Sequence, residues 1–300
     1  MRVFLCFLLA TLLSLFALSA QAALSGSSTL AAPLARIIYT AGTLGFVHSC
    51  QTCDGAPLGG LARRPLLLRN LMSGQHRALV LAGPGEFYAD RTDPVPDESQ
   101  KITPALLAAF GHMPYTAIYL SQAAVQDMRQ QDLTLPANGI IAENKPVTAF
   151  FHAGAFKVAC VFLPAGIDMG VPSPDQITAA QLAAKDASAS SDLVIAISPW
   201  GMYAENALAP SLGGYFHILL GGGAGVAIHG QATGDSTAPG PLWLRSDQRG
   251  RAVNVLDIFS LPAPASPWLD GINFTSRLAF LESTLPEDVH IHKLISDLRE

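Results

Sequence analysis

Charge is scarce in this sequence. Only 14% of its 300 residues are charged and 50% are hydrophobic. A disordered chain needs the opposite balance, so a packed core is expected. The net charge of −5 leaves no basic footprint for nucleic acid. Cysteine is rare, with four residues in the chain. No apolar run after the first 22 residues has the length of a bilayer span. There is no G-x-S-x-G elbow, and no Ser/His/Asp order can be argued from spacing alone. No internal repeat is visible.

The chain opens with Arg2, an apolar stretch over Val3 to Leu18, and the small-x-small signature Ala20-Gln21-Ala22. This pattern reads as a signal peptide over residues 1–22, cleaved after Ala22. No cysteine follows Ala22 closely, which argues against a lipid anchor. A periplasmic or secreted location is expected, with no membrane contact after cleavage. Cys6 leaves with the leader, while Cys50, Cys53 and Cys160 remain. In an oxidising compartment an odd number leaves one thiol over.

Short apolar runs alternate with helical patterns. Strands are expected at Arg36–Thr40, Ala78–Ala82, Thr116–Leu120, Lys157–Leu163, Asp192–Ile197 and His217–Leu220. Helices are expected at Leu61–Leu71, Pro104–Phe110, Ala123–Gln130, Thr178–Ala189 and Tyr203–Leu208. Such alternation predicts an α/β fold with mostly parallel pairing. Pro241–Arg245 and Ala252–Ile258 flank "SDQRG", which reads as a hairpin turn. A proline-rich strap at Leu261–Pro267, a strand at Asn273–Leu281 and a helix at Pro286–Leu298 close the chain. The expected organisation is a leader, a main domain over 23–260, and a strap, strand and helix over 261–300 docked on it.

The blocks "IIYTAGTLG", "LGGLARRPLLL" and "ALVLAGPGEF" resemble the N-terminal part of the periplasmic 5'-nucleotidases and UDP-sugar hydrolases (UshA-like). "MPYTAIYLSQAAV", "SDLVIAISPWG", "YFHILLGGGAG" and "LWLRSDQRGRAVNVLDI" follow in the family's order. The likeness covers roughly Arg36 to Ile258 and stops before the family's second, substrate-binding domain. It implies a metallophosphoesterase-like four-layer α/β/β/α sandwich with two mixed sheets. It also implies two metal ions held by His, Asp and Asn, which activate a water and stabilise phosphoryl oxygens.

Transferred residue by residue, those ligand positions fall on Gly42 and Leu44, on Gly85, on Gln122 and Ala123, on Pro199, and on Gly223 and Gly225. None of these residues is a hard-metal donor of the required set. Glu86 lies one residue from an expected ligand but cannot replace the set. The resemblance therefore implies a scaffold kept and a binuclear site lost, with no metal or other cofactor. A branch related to this family carries paired cysteines after its first strand, some as selenocysteine. The segment holding Cys50 and Cys53 resembles a cysteine form of that branch.

Cys50-Gln-Thr-Cys53 lies where open α/β sheets place ligands and catalysis. The pair can be a reversible disulfide, a structural staple, or half of a metal site. His48 can join a zinc set with them or simply face water. Arg63 and Arg64 can bind an anion or form ion pairs at a helix start. Gly221–Gly225 reads as a tight turn, because no helix follows it as a dinucleotide loop would require. Cys160, inside an apolar run, reads as a small buried hydrophobe. The leading expectation is a non-hydrolytic exported protein with thiol chemistry or a ligand in the relic cleft. The partner is then an unidentified redox partner or small ligand. A phosphoesterase with a rearranged site and a structural or partner-binding protein are the alternatives.

Overall fold

The computed structural model describes residues 32–51, 55–74, 78–92, 95–166, 170–235 and 237–298. Two six-stranded sheets face each other. The first has the order β14-β13-β1-β4-β5-β6, with β1 (Ala35–Thr40), β4 (Leu79–Ala82), β5 (Ala117–Leu120) and β6 (Gly139–Ile141) parallel. β13 (Ala252–Ile258) runs antiparallel to β1, and β14 (Phe274–Phe280) pairs with β13 along seven residues. The second sheet has the order β11-β12-β10-β9-β8-β7. Its β8 (Phe156–Phe162), β9 (Leu193–Ser198), β10 (Ile218–Gly221) and β12 (Pro239–Arg245) are parallel. β7 (Val147–Ala153) and β11 (Ile228–Gly234) close its edges antiparallel. A short ribbon joins β2 (Ser49–Gln51) to β3 (Pro57–Gly59).

The two-residue period of the strands builds the layers. In β9, Leu193, Ile195 and Ile197 enter the core between the sheets, while Val194 and Ala196 face the outer helices. In β1, Ile37 and Tyr39 face inward between the sheets and Ile38 faces outward. Both faces are thus buried, which is why these strands read as continuous apolar runs. The helices α1 (Arg64–Met72), α2 (Pro96–Gly111), α3 (Gln122–Gln130) and α6 (Val289–Ile295) contribute to the core outside the first sheet. The helices α4 (Pro174–Ser188) and α5 (Met202–Leu212) contribute to the core outside the second. The result is the expected α/β/β/α sandwich.

Two buried phenols tie the sheets together. Tyr39 donates to the Gly221 carbonyl at 3.1 Å and Tyr119 donates to that of Leu163 at 3.0 Å.

One topological expectation is corrected. β12 and β13 do not form a hairpin, because they belong to different sheets. Leu242 and Leu244 of β12 and Leu256 and Ile258 of β13 enter the same inter-sheet core from opposite sides. The "SDQRG" segment is the crossing between the sheets. Arg249 there adopts a left-handed backbone at φ 59°.

Candidate functional site

The loops after the parallel strands of both sheets meet at one edge, where open α/β sheets hold their ligands. They enclose a cleft of about 510 Å³. Gly42 and Leu44 reach it after β1, Gly85 after β4, Ser121 after β5, Pro199 after β9 and Gly223 after β10. Gln248 and Arg249, from the sheet crossing, complete the rim. The mapped positions Gly42, Leu44, Gly85, Pro199 and Gly223 therefore do share one cavity.

Gln122 and Ala123 are placed differently. They open α3, and the cleft wall there is Ser121, which caps the helix by accepting from the Ala124 amide at 3.0 Å. Gln122 lines a separate groove with Arg129 and Glu143.

Backbone bonds draw the loops close. The amide of Gly42 donates to Pro84, that of Leu44 to Gly85, and that of Arg249 to Gly42, at 2.7–3.0 Å. Gly42 and Gly85 both have left-handed φ, 69° and 81°, and a Cβ on Gly85 would lie 3.3 Å from the Gly42 Cα. Close approach of this kind suits glycine.

Two fully buried ion pairs lie under these loops. Beneath the first sheet's loops, Glu86 accepts from Thr40 at 2.5 Å and from Thr43, and Arg64 approaches it at 3.3 Å. Arg64 also donates to Thr43 at 2.7 Å. Beneath the second sheet's loops, Arg245 pairs with Glu205. The same guanidinium donates to the carbonyls of Gly222, Gly223 and Ala224 at 2.7, 3.1 and 2.9 Å. Trp243 donates to Glu205 at 3.1 Å. Burial pushes the Glu205 carboxyl up, and the Arg245 charge opposes this.

The candidate arginines are thus engaged within the protein, as the ion-pair reading expects. Arg63 bridges Glu287 at 2.8 Å and the Gly59 carbonyl at 2.8 Å. His48 contacts the Leu298 carbonyl at 2.8 Å, next to α6 and away from the cleft. Cys50 is a half-buried free thiol on β2, and it is not part of the cleft wall. Cys53 lies outside the described residues. Cys160 is fully buried between the sheets, and burial pushes its thiol up. Gly225 neighbours the cleft and accepts from Gln248 at 3.0 Å.

Sequence reading missed the charged groups that do line the cleft, namely Asp90, Arg91 and Arg249. Lost hydration pushes the half-buried Asp90 carboxyl up to about 6, opposed by Ser121 and the Phe87 amide and reinforced by Glu86. The native state then holds a proton that the unfolded chain releases near pH 4. The stability this contributes is fully present below about pH 4 and is lost as pH rises through about 6. A rise from 3.8 to about 6 caps the effect at about 3 kcal/mol, and partial exposure reduces it to about 1 kcal/mol. Urea midpoints at pH 4 and pH 7 should accordingly fall less in Asp90→Asn than in the parent. Equal falls would remove Asp90 from this role.

Comparison with solved structures bears on the scaffold. The chain is similar to the 5'-nucleotidase precursor of Thermus thermophilus, with a TM-score of 0.65 at 13% identity, over 87% of this chain and 57% of that one. The NAD nucleotidase of Haemophilus influenzae gives 0.64 at 12% identity, over 87% and 59%. A calcineurin-like phosphoesterase of Bacillus subtilis gives 0.55 at 13% identity, over 87% and 95%. The fold is that of the calcineurin-like metallophosphoesterases. This chain spans less than two thirds of the length of the two nucleotidases. No family model and no curated relative matches it.

A metallophosphoesterase fold implies metal, so the donor set matters. Among the described residues no three His, Cys, Asp or Glu side chains converge as a metal site. The mapped positions in the cleft carry hydrogen, isobutyl and pyrrolidine groups. The carbonyl oxygens of the 222–224 loop are held by a buried guanidinium. A fixed positive charge there opposes a divalent ion. The residues present do not fit the binuclear centre. Among the described residues no helix is long and apolar enough to cross a membrane.

Proposed function

We propose that this chain is an exported, non-hydrolytic relative of the 5'-nucleotidase-type phosphoesterases, and that it binds a small molecule in the cleft where a metal centre would lie. One observation carries this reading. Arg245, fully buried and paired with Glu205, binds the loop that would otherwise supply metal ligands. The cleft remains open above it at about 510 Å³. Cavities of this size with a few convergent polar groups suit small ligands. The Cys50/Cys53 pair forms a separate element of the proposal, a thiol couple whose described member, Cys50, lies on β2 outside the cleft wall.

The test is hydrolysis by the purified protein of p-nitrophenyl phosphate and of nucleoside monophosphates, with manganese, zinc or magnesium added. No turnover above the metal-only blank is expected. The missing activated water amounts to a rate factor of about a millionfold or more. Metal-stimulated turnover that disappears in Ser121→Trp would restore the phosphoesterase reading.

A further inference from the structure

Two cations in the cleft are held by one aromatic ring. The guanidinium carbons of Arg91 and Arg249 each lie 4.8 Å from the centroid of Phe46. They are therefore no farther apart than twice that distance. Arg91 also lies 5.0 Å from the Tyr88 ring. Arg249 is fixed from behind, since its amide donates to the Gly42 carbonyl at 2.7 Å. All three side-chain bearers, Phe46, Arg91 and Arg249, border the cleft. Stacking on a ring removes rotamer freedom from a guanidinium before any ligand arrives. Leu44, Pro84, Ala165 and Pro199 give the rest of the wall an apolar character. Asp90 is the one carboxylate among the described lining residues.

We infer that the cleft takes a small organic oxyanion, with its charged head held by Arg91 and Arg249 and its apolar body against the Leu44, Pro84 and Pro199 wall. The fork of a guanidinium matches both carboxylate and phosphate oxygens, so both head groups share this chemistry. The inference rests on the reading of the cleft as a ligand site. Asp90 faces the Ser121 hydroxyl, the Phe87 amide, the Glu86 carboxylate and the Tyr119 phenol, with Arg91 next in the chain. Its neutral form removes one negative charge from the cleft wall beside the two guanidiniums. Binding should therefore tighten as pH falls below about 6.

Calorimetric titration with phenyl phosphate, benzoate, inorganic phosphate and phenol tests this. The protein is the parent chain, Arg91→Gln and Arg249→Asn, asparagine being chosen because it tolerates a left-handed backbone. Phenyl phosphate or benzoate should bind and phenol should not, and the tighter of the two identifies the head group. Each arginine substitution should weaken binding by at least about tenfold. Inorganic phosphate should bind more weakly than phenyl phosphate, because it lacks the apolar body. Phenol binding as tightly as phenyl phosphate, or unchanged affinity in both variants, overturns the inference and leaves the ligand cleft standing. Absence of binding by every probe overturns it as well. Release of phenol from phenyl phosphate would instead strike at the non-hydrolytic reading. In that event a tenfold rise in KM in the arginine variants supports the oxyanion grip, and an unchanged KM rejects it.

Discussion

Replacing Arg245 with methionine is expected to lower the stability of the folded chain by about 3–5 kcal/mol. Glu205 has no exposed surface, and its partner is the Arg245 guanidinium. Removing one member leaves an uncompensated buried charge, and burial already pushes that carboxyl up. The same substitution strips the Gly222 and Gly223 carbonyl oxygens of their donor and leaves that of Ala224 with the Met202 amide. The double variant Arg245→Met, Glu205→Leu removes both charges and should regain much of the loss, as replaced buried pairs commonly do. Guanidinium chloride unfolding of parent, single and double variants measures this. A single-variant loss below about 1 kcal/mol would show that the pair does not organise the loop. Prior treatment with a chelator should leave the parent's midpoint unchanged.

This pair holds the 222–224 loop with side chains of the chain itself. A divalent metal draws several loops together by binding oxygen ligands from each. A guanidinium presents five donors in a fixed fork and stays charged when buried. Arg245 uses that fork on one carboxylate and three backbone oxygens. Arg64 does comparable work on the other side, joining Glu86, Thr43 and the Tyr115 hydroxyl. Both cations are covalently part of the chain.

The strands were legible because burial on both faces leaves unbroken apolar runs. β1, β4, β5, β8, β9 and β10 fall within a residue or so of their expected bounds. Proline misled the helix boundaries. Pro104 reads as a start, yet it lies inside α2, which begins at Pro96. Pro210 likewise lies inside α5, which runs to Leu212, four residues past the expected end at Leu208. The sheet crossing after β12 was illegible because its local turn chemistry matches that of a hairpin, and only the shared inter-sheet core separates the two. The positions that converge on the cleft came through family order. The groups that charge it did not, because Asp90, Arg91 and Arg249 owe their role to contacts over long sequence separations. The available signal was their place in the loops that follow β4 and β12. The Glu205–Arg245 pair spans 40 residues, with no local pattern to announce it.

Placing the resembled family's ligand set in this chain is expected to fail first at Gly225. The family resemblance maps a metal-binding histidine there. Gly225 has φ +134°, a region that residues with a side chain essentially avoid. A Cβ at this position would lie 2.4 Å from the Met202 Cβ, at the rigid start of α5, and 3.2 Å from the Arg245 guanidinium. Neither neighbour can yield cheaply, since one is anchored to a helix and the other to the buried pair. Gly225→His should therefore cost about 3 kcal/mol or more, combining backbone strain with overpacking. Gly225→Ala should cost nearly as much, because the first carbon makes the clash. Gly42→Asp offers the contrast. Its φ of +69° is one that aspartate can adopt, and the nearest atom to its new Cβ is 3.8 Å away. It should cost about 1 kcal/mol. Denaturant unfolding of the three variants gives the order directly. A Gly225→His variant as stable as Gly42→Asp would mean that the loop accepts a ligand-bearing side chain and that its backbone does not bar one.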